Sequence, residues 1–292
     1  MNDGGTAERL EAHVRQLAEV IGERNLYRPA ALQATHRYIK QTWLAQGYEV
    51  ATQEYEVEGV ACVNLEITRS GSHHPQQFIL IGAHYDTVAG SPGANDNGSG
   101  VAVLLELSRR LQALTPAQSV RLVAFTNEEA PFFNTDLQGS MVYANAARLR
   151  GDNIRLMIAL ETMGCFRSEP GSQHYPPLFR HFYPDRGNFI ALVANLRSWR
   201  AMRRLAAAFR QVSNYPLEHL ATSSLVPGVS WSDHLSFWRR GYRAVMVTDT
   251  AFYRYAHYHA ITDTPDKLDY QRIARVTDGL TDAVCLLAEK GI

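Results

Sequence analysis

Phe78-Ile79-Leu80-Ile81-Gly82-Ala83-His84-Tyr85-Asp86 decides how this chain is read. Four apolar side chains in a row leave no polar face for solvent, which is the pattern of a strand buried on both sides of a sheet. The run stops abruptly at a histidine and an aspartate. A loop rich in glycine and asparagine follows, Gly93-Ala94-Asn95-Asp96-Asn97-Gly98-Ser99-Gly100, and then an apolar helix over about residues 101–114.

The same pattern recurs further along. Val120–Phe125 reads as a second buried strand and ends in Asn127-Glu128-Glu129. Leu156–Leu160 reads as a third and ends in Glu161. Phe189–Val193 and Ala244–Val247 are further strands. Upstream, Leu10, Val14, Leu17 and Ile21 recur at helical spacing. Leu32, Tyr38, Trp43 and Leu44 do so less regularly, up to a stop at Gly47. Residues 48–69 alternate as strands, through Val50, Tyr55 and Val57 and then Val63, Leu65 and Ile67. Residues 165–188 form a long loop rich in proline, glycine and aromatics. A helix over about residues 270–290 closes the chain, with Ile273, Val276, Leu280, Val284 and Leu287 on one face. Strands alternating with helices predict an α/β fold, a mixed, mainly parallel central sheet sandwiched by helices. One catalytic domain over residues 1–292 is expected. Ligands of such sheets bind beyond the carboxyl ends of the strands, and three strands deliver histidine or carboxylate there.

Composition narrows the partners. Lys+Arg and Asp+Glu both number 29, so no basic excess exists to hold nucleic acid. The arginines of residues 197–204 read as a solvated helix face. Cys62, Cys165 and Cys285 form no CxxC pair and read as small buried apolar residues. No basic-then-apolar leader and no apolar run of about 20 residues is visible, so no membrane partner is expected and the chain reads as cytoplasmic. Composition leaves the oligomeric state open.

His84, Asp96, Glu128, Glu129, Glu161 and His259 are the residue types that zinc prefers. Carboxylates gathered at strand ends repel one another unless protonated or neutralised. A pair of dications is the economical neutraliser, and Asp96, in its glycine-flanked loop, suits the bridge between them. His257 competes with His259, which the spacing to Asp263-Thr264 favours. His234 reads as structural or pocket-forming, and His73 and His74 as solvated. Phe132-Phe133 and the stretch Tyr175–Tyr183 either wall a substrate pocket or simply pack.

The ordered set of pieces carries more than any one of them. Ala83-His84-Tyr85-Asp86-Thr87, the loop from Gly93 to Gly100, Asn127-Glu128-Glu129, Leu160-Glu161-Thr162-Met163-Gly164, Ser232-Asp233-His234, and Tyr258-His259 followed by Asp263-Thr264-Pro265 together resemble the co-catalytic dizinc aminopeptidases. That family also holds glutaminyl cyclases and glutamate carboxypeptidases. The resemblance implies two zinc ions bridged by Asp96, with His84 and Glu161 completing one site and Glu129 and His259 the other. The third-strand ligand is often Asp in the family and is Glu161 here. Glu128 is implied as general base on a metal-bridging hydroxide, and Asp86 as the acid that orients His84. Tyr258 and Asp233 are implied to contact the substrate, Tyr258 as an oxyanion donor. A cis bond between Asp96 and Asn97 is implied as well. The expected activity is an aminopeptidase acting on a peptide or aminoacyl substrate. A glutaminyl cyclase, a carboxypeptidase or a non-enzymatic binding module are the alternatives. Tyr258 stands where cyclases tend to carry Trp. A carboxypeptidase needs a cationic clamp, for which Arg167, Arg180, Arg186 and Arg254 are the candidates.

Overall fold

In chain order the elements are α1 (Thr6–Arg15), α2 (Pro29–Ala45), β1 (Ala51–Val57), β2 (Val60–Arg69), β3 (His74–His84), α3 (Gly100–Leu111), β4 (Gln118–Phe125), α4 (Gly139–Arg150), β5 (Asn153–Glu161), β6 (Ile190–Asn195), α5 (Trp199–Val212), β7 (Leu217–Thr222), α6 (His234–Arg239), β8 (Ala244–Thr248) and α7 (Tyr270–Lys290). They come from a computed structural model that describes residues 5–177 and 179–291. The ends of the expected 1–292 domain, residues 1–4 and 292, and residue 178 of the long loop lie outside the described residues.

One eight-stranded sheet runs in the order β1-β2-β4-β3-β5-β8-β6-β7. The central pairs β3–β4, β3–β5 and β5–β8 are parallel, as is the outer pair β6–β7. The pairs β1–β2, β2–β4 and β6–β8 are antiparallel, so the sheet is mixed as expected. Strand residues alternate between two cores because successive side chains leave opposite faces. Ile79 and Ile81 point to the larger core, built with α1, α2, α3, α5 and α7. Phe78 and Leu80 point to the smaller one, with Tyr143 of α4 and Phe237 of α6. That division makes the β3 run apolar at every position.

The closing helix spans residues 270–290, the length its periodicity gave. The helix after the glycine loop ends at Leu111, short of residue 114, since Leu114 is exposed and Pro116 follows closely. Leu44 points to solvent, so the second helical pattern is narrower than it read. Arg200, Arg203 and Arg204 do lie on the solvated side of α5. The three cysteines are free, two of them buried. Among the described residues, no helix is long and apolar enough to cross a membrane.

Candidate metal centre

β3, β4 and β5 lie side by side in parallel, so their carboxyl ends deliver His84, the Asn127-Glu128-Glu129 turn and Glu161 to one place. The glycine loop leaves the end of β3 and returns into α3. Gly93 sits at φ +60, in the left-handed region, and a Cβ there would meet Asp96 O at 2.4 Å, so only glycine fits the turn. The Asp96–Asn97 peptide bond is cis. Asn127, Thr162 and His259 also take positive φ, each at or beside a candidate ligand. Such backbone clusters at functional sites, where surrounding contacts hold it in place.

The resulting geometry is compact. His84 Nε2 lies 3.3 Å from Asp96 Oδ1 and 3.3 Å from Glu161 Oε2. His259 Nε2 lies 3.0 Å from Asp96 Oδ2 and 3.4 Å from Glu129 Oε2. His84, Asp96 and Glu161 form one group able to hold a metal ion, and Asp96, Glu129 and His259 form another. Asp96 therefore offers one oxygen to each group. Glu128 Oε2 stands 4.0 Å from His84 Nε2 and belongs to neither.

The surroundings fix these side chains. Asp86 accepts from the backbone N–H of Glu128 at 3.0 Å and of Glu129 at 3.1 Å, and lies 3.5 Å from His84 Nδ1. Asp263 accepts from the N–H groups of Asn95 and Asp96 at 2.8 and 3.1 Å. Asn97 binds the backbone of Leu160 and Thr162. Ser232 donates to Glu161 Oε2 at 2.7 Å. Arg24 is fully buried and gives its guanidinium to backbone carbonyls, among them Tyr85, Pro92 and Gly93. Ser232 was visible only as part of a quoted motif, and Arg24 carried no sequence signal.

The electrostatics ask for cations. Burial, then repulsion from Asp96 and Glu128, holds the Glu129 carboxyl well above its ordinary range. Burial and Asp96 raise Glu161 likewise. Burial raises Glu128, with His84 opposing and Glu161 adding to the rise. Burial disfavours charge on His84, yet Glu161 and Glu128 drive its pKa up instead. Asp96 is held down against burial by His259 and His84. Both ring nitrogens of His84 are buried without an aligned hydrogen bond. Nitrogen facing two carboxylates across a gap fits a dication between them better than it fits hydrogen bonding.

Tyr258 stacks on His259 at 3.9 Å between ring centroids and lines an adjoining cavity. His257 turns away, its Nδ1 2.8 Å from Thr262 Oγ1. Asp233, expected to contact substrate, is enclosed and does not line that cavity. It sits at the start of α6, packed behind the site, where burial raises its carboxyl to about 7 against the pull of His84. His234 is buried against Val229 O and Trp238, a packing role. Of the aromatics, Tyr175, Phe179 and Tyr183 line the cavity, while Phe132 packs with Leu26, Val57 and Cys62.

The sequence profile described as Peptidase family M28 matches residues 64–284, most of the chain. The chain belongs to this family. It is 39% identical over 282 residues to the uncharacterized protein YfbL of Escherichia coli, covering 94% of this chain and 86% of that one. Two solved structures share the fold. A zinc aminopeptidase from Bacillus subtilis overlaps with a TM-score of 0.76 at 16% identity, covering 97% of this chain and 95% of its own. A glutaminyl cyclase from Bacteroides thetaiotaomicron overlaps with a TM-score of 0.72 at 17% identity, covering 95% and 97%. Family M28 membership makes this chain a hydrolase of the metallopeptidase kind.

Proposed function

We propose that this chain is an aminopeptidase that holds two zinc ions and releases the first residue of a peptide or aminoacyl substrate, with residues 1–292 acting as one catalytic domain. The division of Asp96 between two ligand groups carries the metal reading. His84 and Glu161 would hold one ion with Asp96, and Glu129 and His259 the other. Bound there, such ions supply Lewis acidity and make water acidic enough to deprotonate near neutral pH. Glu128, which belongs to neither group, takes the water proton and passes it to the leaving amine, a role suited to a carboxyl with a raised pKa. Asp86 orients His84, as the partner of a metal-bound imidazole does. Tyr258, which lines the cavity and stacks on His259, would donate to the developing oxyanion.

The cavity supports the direction of cleavage. Glu161 and Glu218 line it, and its lining includes no arginine or lysine among the described residues. A carboxypeptidase needs a cation there for the terminal carboxylate. Arg254, the buried candidate, is committed to Gln173 and the carbonyls of Cys165 and Phe189. An ammonium suits this acidic lining. The shared fold does not separate peptidase from cyclase, so the test must. One peptide offered free, N-acetylated and C-amidated should lose its first residue except when acetylated. Cleavage blocked by amidation alone would turn the reading to a carboxypeptidase, and ammonia released from an N-terminal glutamine without chain cleavage would turn it to a cyclase.

A further inference from the structure

The cavity beside the metal centre has a floor that sheet register describes. Glu161 of β5 pairs with Thr248 of β8, Thr248 with Ala191 of β6, and Ala191 with Glu218 of β7. Partners in register send their side chains to the same face. These four residues therefore form one row across the sheet, with a candidate metal ligand at one end, a second carboxylate at the other, and two small residues between. Three strand spacings separate the ends by roughly 14 Å. The next row, Met246, Val193 and Leu220, is wholly apolar.

Aromatic rings from the loops close over this floor. Tyr175 and Tyr183 stack at 5.8 Å, and Phe179 sits 6.5 Å from Tyr183. The two tyrosine hydroxyls are committed to backbone carbonyls, of Pro184 and His219, so the rings are what the cavity meets. The cavity has a volume of about 100 Å3 and is partly open to solvent. Glu218 is half-buried in this setting, and among the described residues its carboxylate makes no hydrogen bond or ion pair. Burial raises its carboxyl, and Arg210 draws it back. Arg210 itself donates to the carbonyl of Leu217 and lies beside His219, on the face of the sheet that carries α5.

A half-buried carboxylate at the end of an apolar, aromatic-walled cavity costs free energy unless a cation meets it. We propose that Glu218 makes this cavity selective for a long side chain with an apolar stem and a cationic tip, an amino-terminal lysine or arginine. This rests on the aminopeptidase reading and names its substrate class. The row of Thr248 and Ala191 gives the methylene stem a flat floor. Tyr175 and Tyr183 offer ring faces to the cation, which ring quadrupoles attract, and Glu218 supplies the counter-charge. Short side chains fall short of Glu218, and aromatic ones fill the walls but leave the carboxylate unmet.

The test compares release rates for peptides that differ only in the first residue: lysine, arginine, norleucine, leucine and phenylalanine. Norleucine keeps the lysine stem without the ammonium. In the wild-type protein, kcat/KM for lysine should exceed that for norleucine by roughly tenfold or more, the scale of one hydrogen bond to a charged group in a partly buried site. In Glu218→Gln that ratio should fall towards one, and in Glu218→Arg it should invert. The wild-type ratio requires no variant to fold. Norleucine or phenylalanine preferred over lysine by the wild type, or a ratio indifferent to Glu218→Gln, overturns the assignment while leaving the aminopeptidase reading intact. Failure to release any first residue from the panel overturns both.

Discussion

The two halves of the cleft are built differently. On the metal side, each candidate ligand sits at the end of a central parallel strand or in a short loop tied by hydrogen bonds. Asp86 and Asp263 each take two backbone N–H groups, and Asn97 binds the backbone on either side of Glu161 at the end of β5. On the cavity side, the floor is the outer part of the sheet and the roof is loop, with Tyr175 stacked on Tyr183 and Trp231 tilted against Phe252. The first half holds charge that repels itself and needs exact placement. The second needs only shape and one carboxylate. On the proposed function, chemistry is anchored where the sheet is most constrained, and side-chain choice is left to the part that can vary at little cost in stability.

This contrast can be broken by experiment. The largest effect is expected from Glu128→Gln, which should lower kcat by roughly 10² to 10⁴, the usual range for losing a general base. Metal content should stay at the wild-type level, because Glu128 lies in neither ligand group. Rates within a few-fold of wild type at matched zinc occupancy would remove it from the base role. Next, His259→Ala should lower the metal-to-protein ratio after dialysis, whereas His257→Ala should not, since His257 faces Thr262. Metal loss in the second variant instead would place the ligand at the wrong one of the two histidines.

Stripping the metal should change how stability depends on pH. Glu128, Glu129 and Glu161 have folded-state pKa values above their ordinary ones, so in the metal-free protein their charged forms oppose folding and protonation relieves this. The raised His84 acts in the same sense, stabilising the fold when protonated and losing that contribution as pH rises. The metal-free protein should therefore gain Tm between about pH 8 and about pH 5. The zinc-loaded protein should lose Tm over the same window, because protons displace the metal. Parallel curves would refute the idea that cations hold this cluster together. The smallest effect belongs to the cavity. Tyr183→Ala should raise KM for peptides with a long first residue by roughly tenfold or less, on the scale of one aromatic contact. A fall in metal content instead would show that the two halves are not separable.

How legible each half was in the sequence follows from the same contrast. The apolar runs ending in His84, Glu128-Glu129 and Glu161 declared both the buried strands and the titratable cluster at their ends, because a central parallel strand admits little else. The glycine loop declared its tight turn, for the reason seen at Gly93. β7 was not found, since its residues Glu218 and His219 face a cavity and an arginine rather than a core. α4 was missed because its sequence, Gly139-Ser140 followed by small and apolar residues, lacks both a cap signal and a clear stripe. Asp233 is buried and does not line the cavity, a placement its sequence cannot signal, because an acid beside a histidine looks the same whether it is exposed or enclosed. Arg24 was illegible for a deeper reason: its partners are carbonyl groups, which no side-chain pattern marks.

Arg24 also bears on how this protein can be divided. The family-profile match begins at residue 64, beyond Arg24, α1, α2 and β1. A fragment cut to the matched segment would keep every residue named above as a ligand, base or specificity determinant. It would lack the guanidinium that gathers the carbonyls of Tyr85, Pro92 and Gly93 at distances of 2.6 to 2.8 Å, and with it the clasp on both ends of the loop that leads to Asp96. The profile match therefore marks the candidate ligands but leaves out the residue that clasps their loop, which the longer match to the Escherichia coli relative takes in.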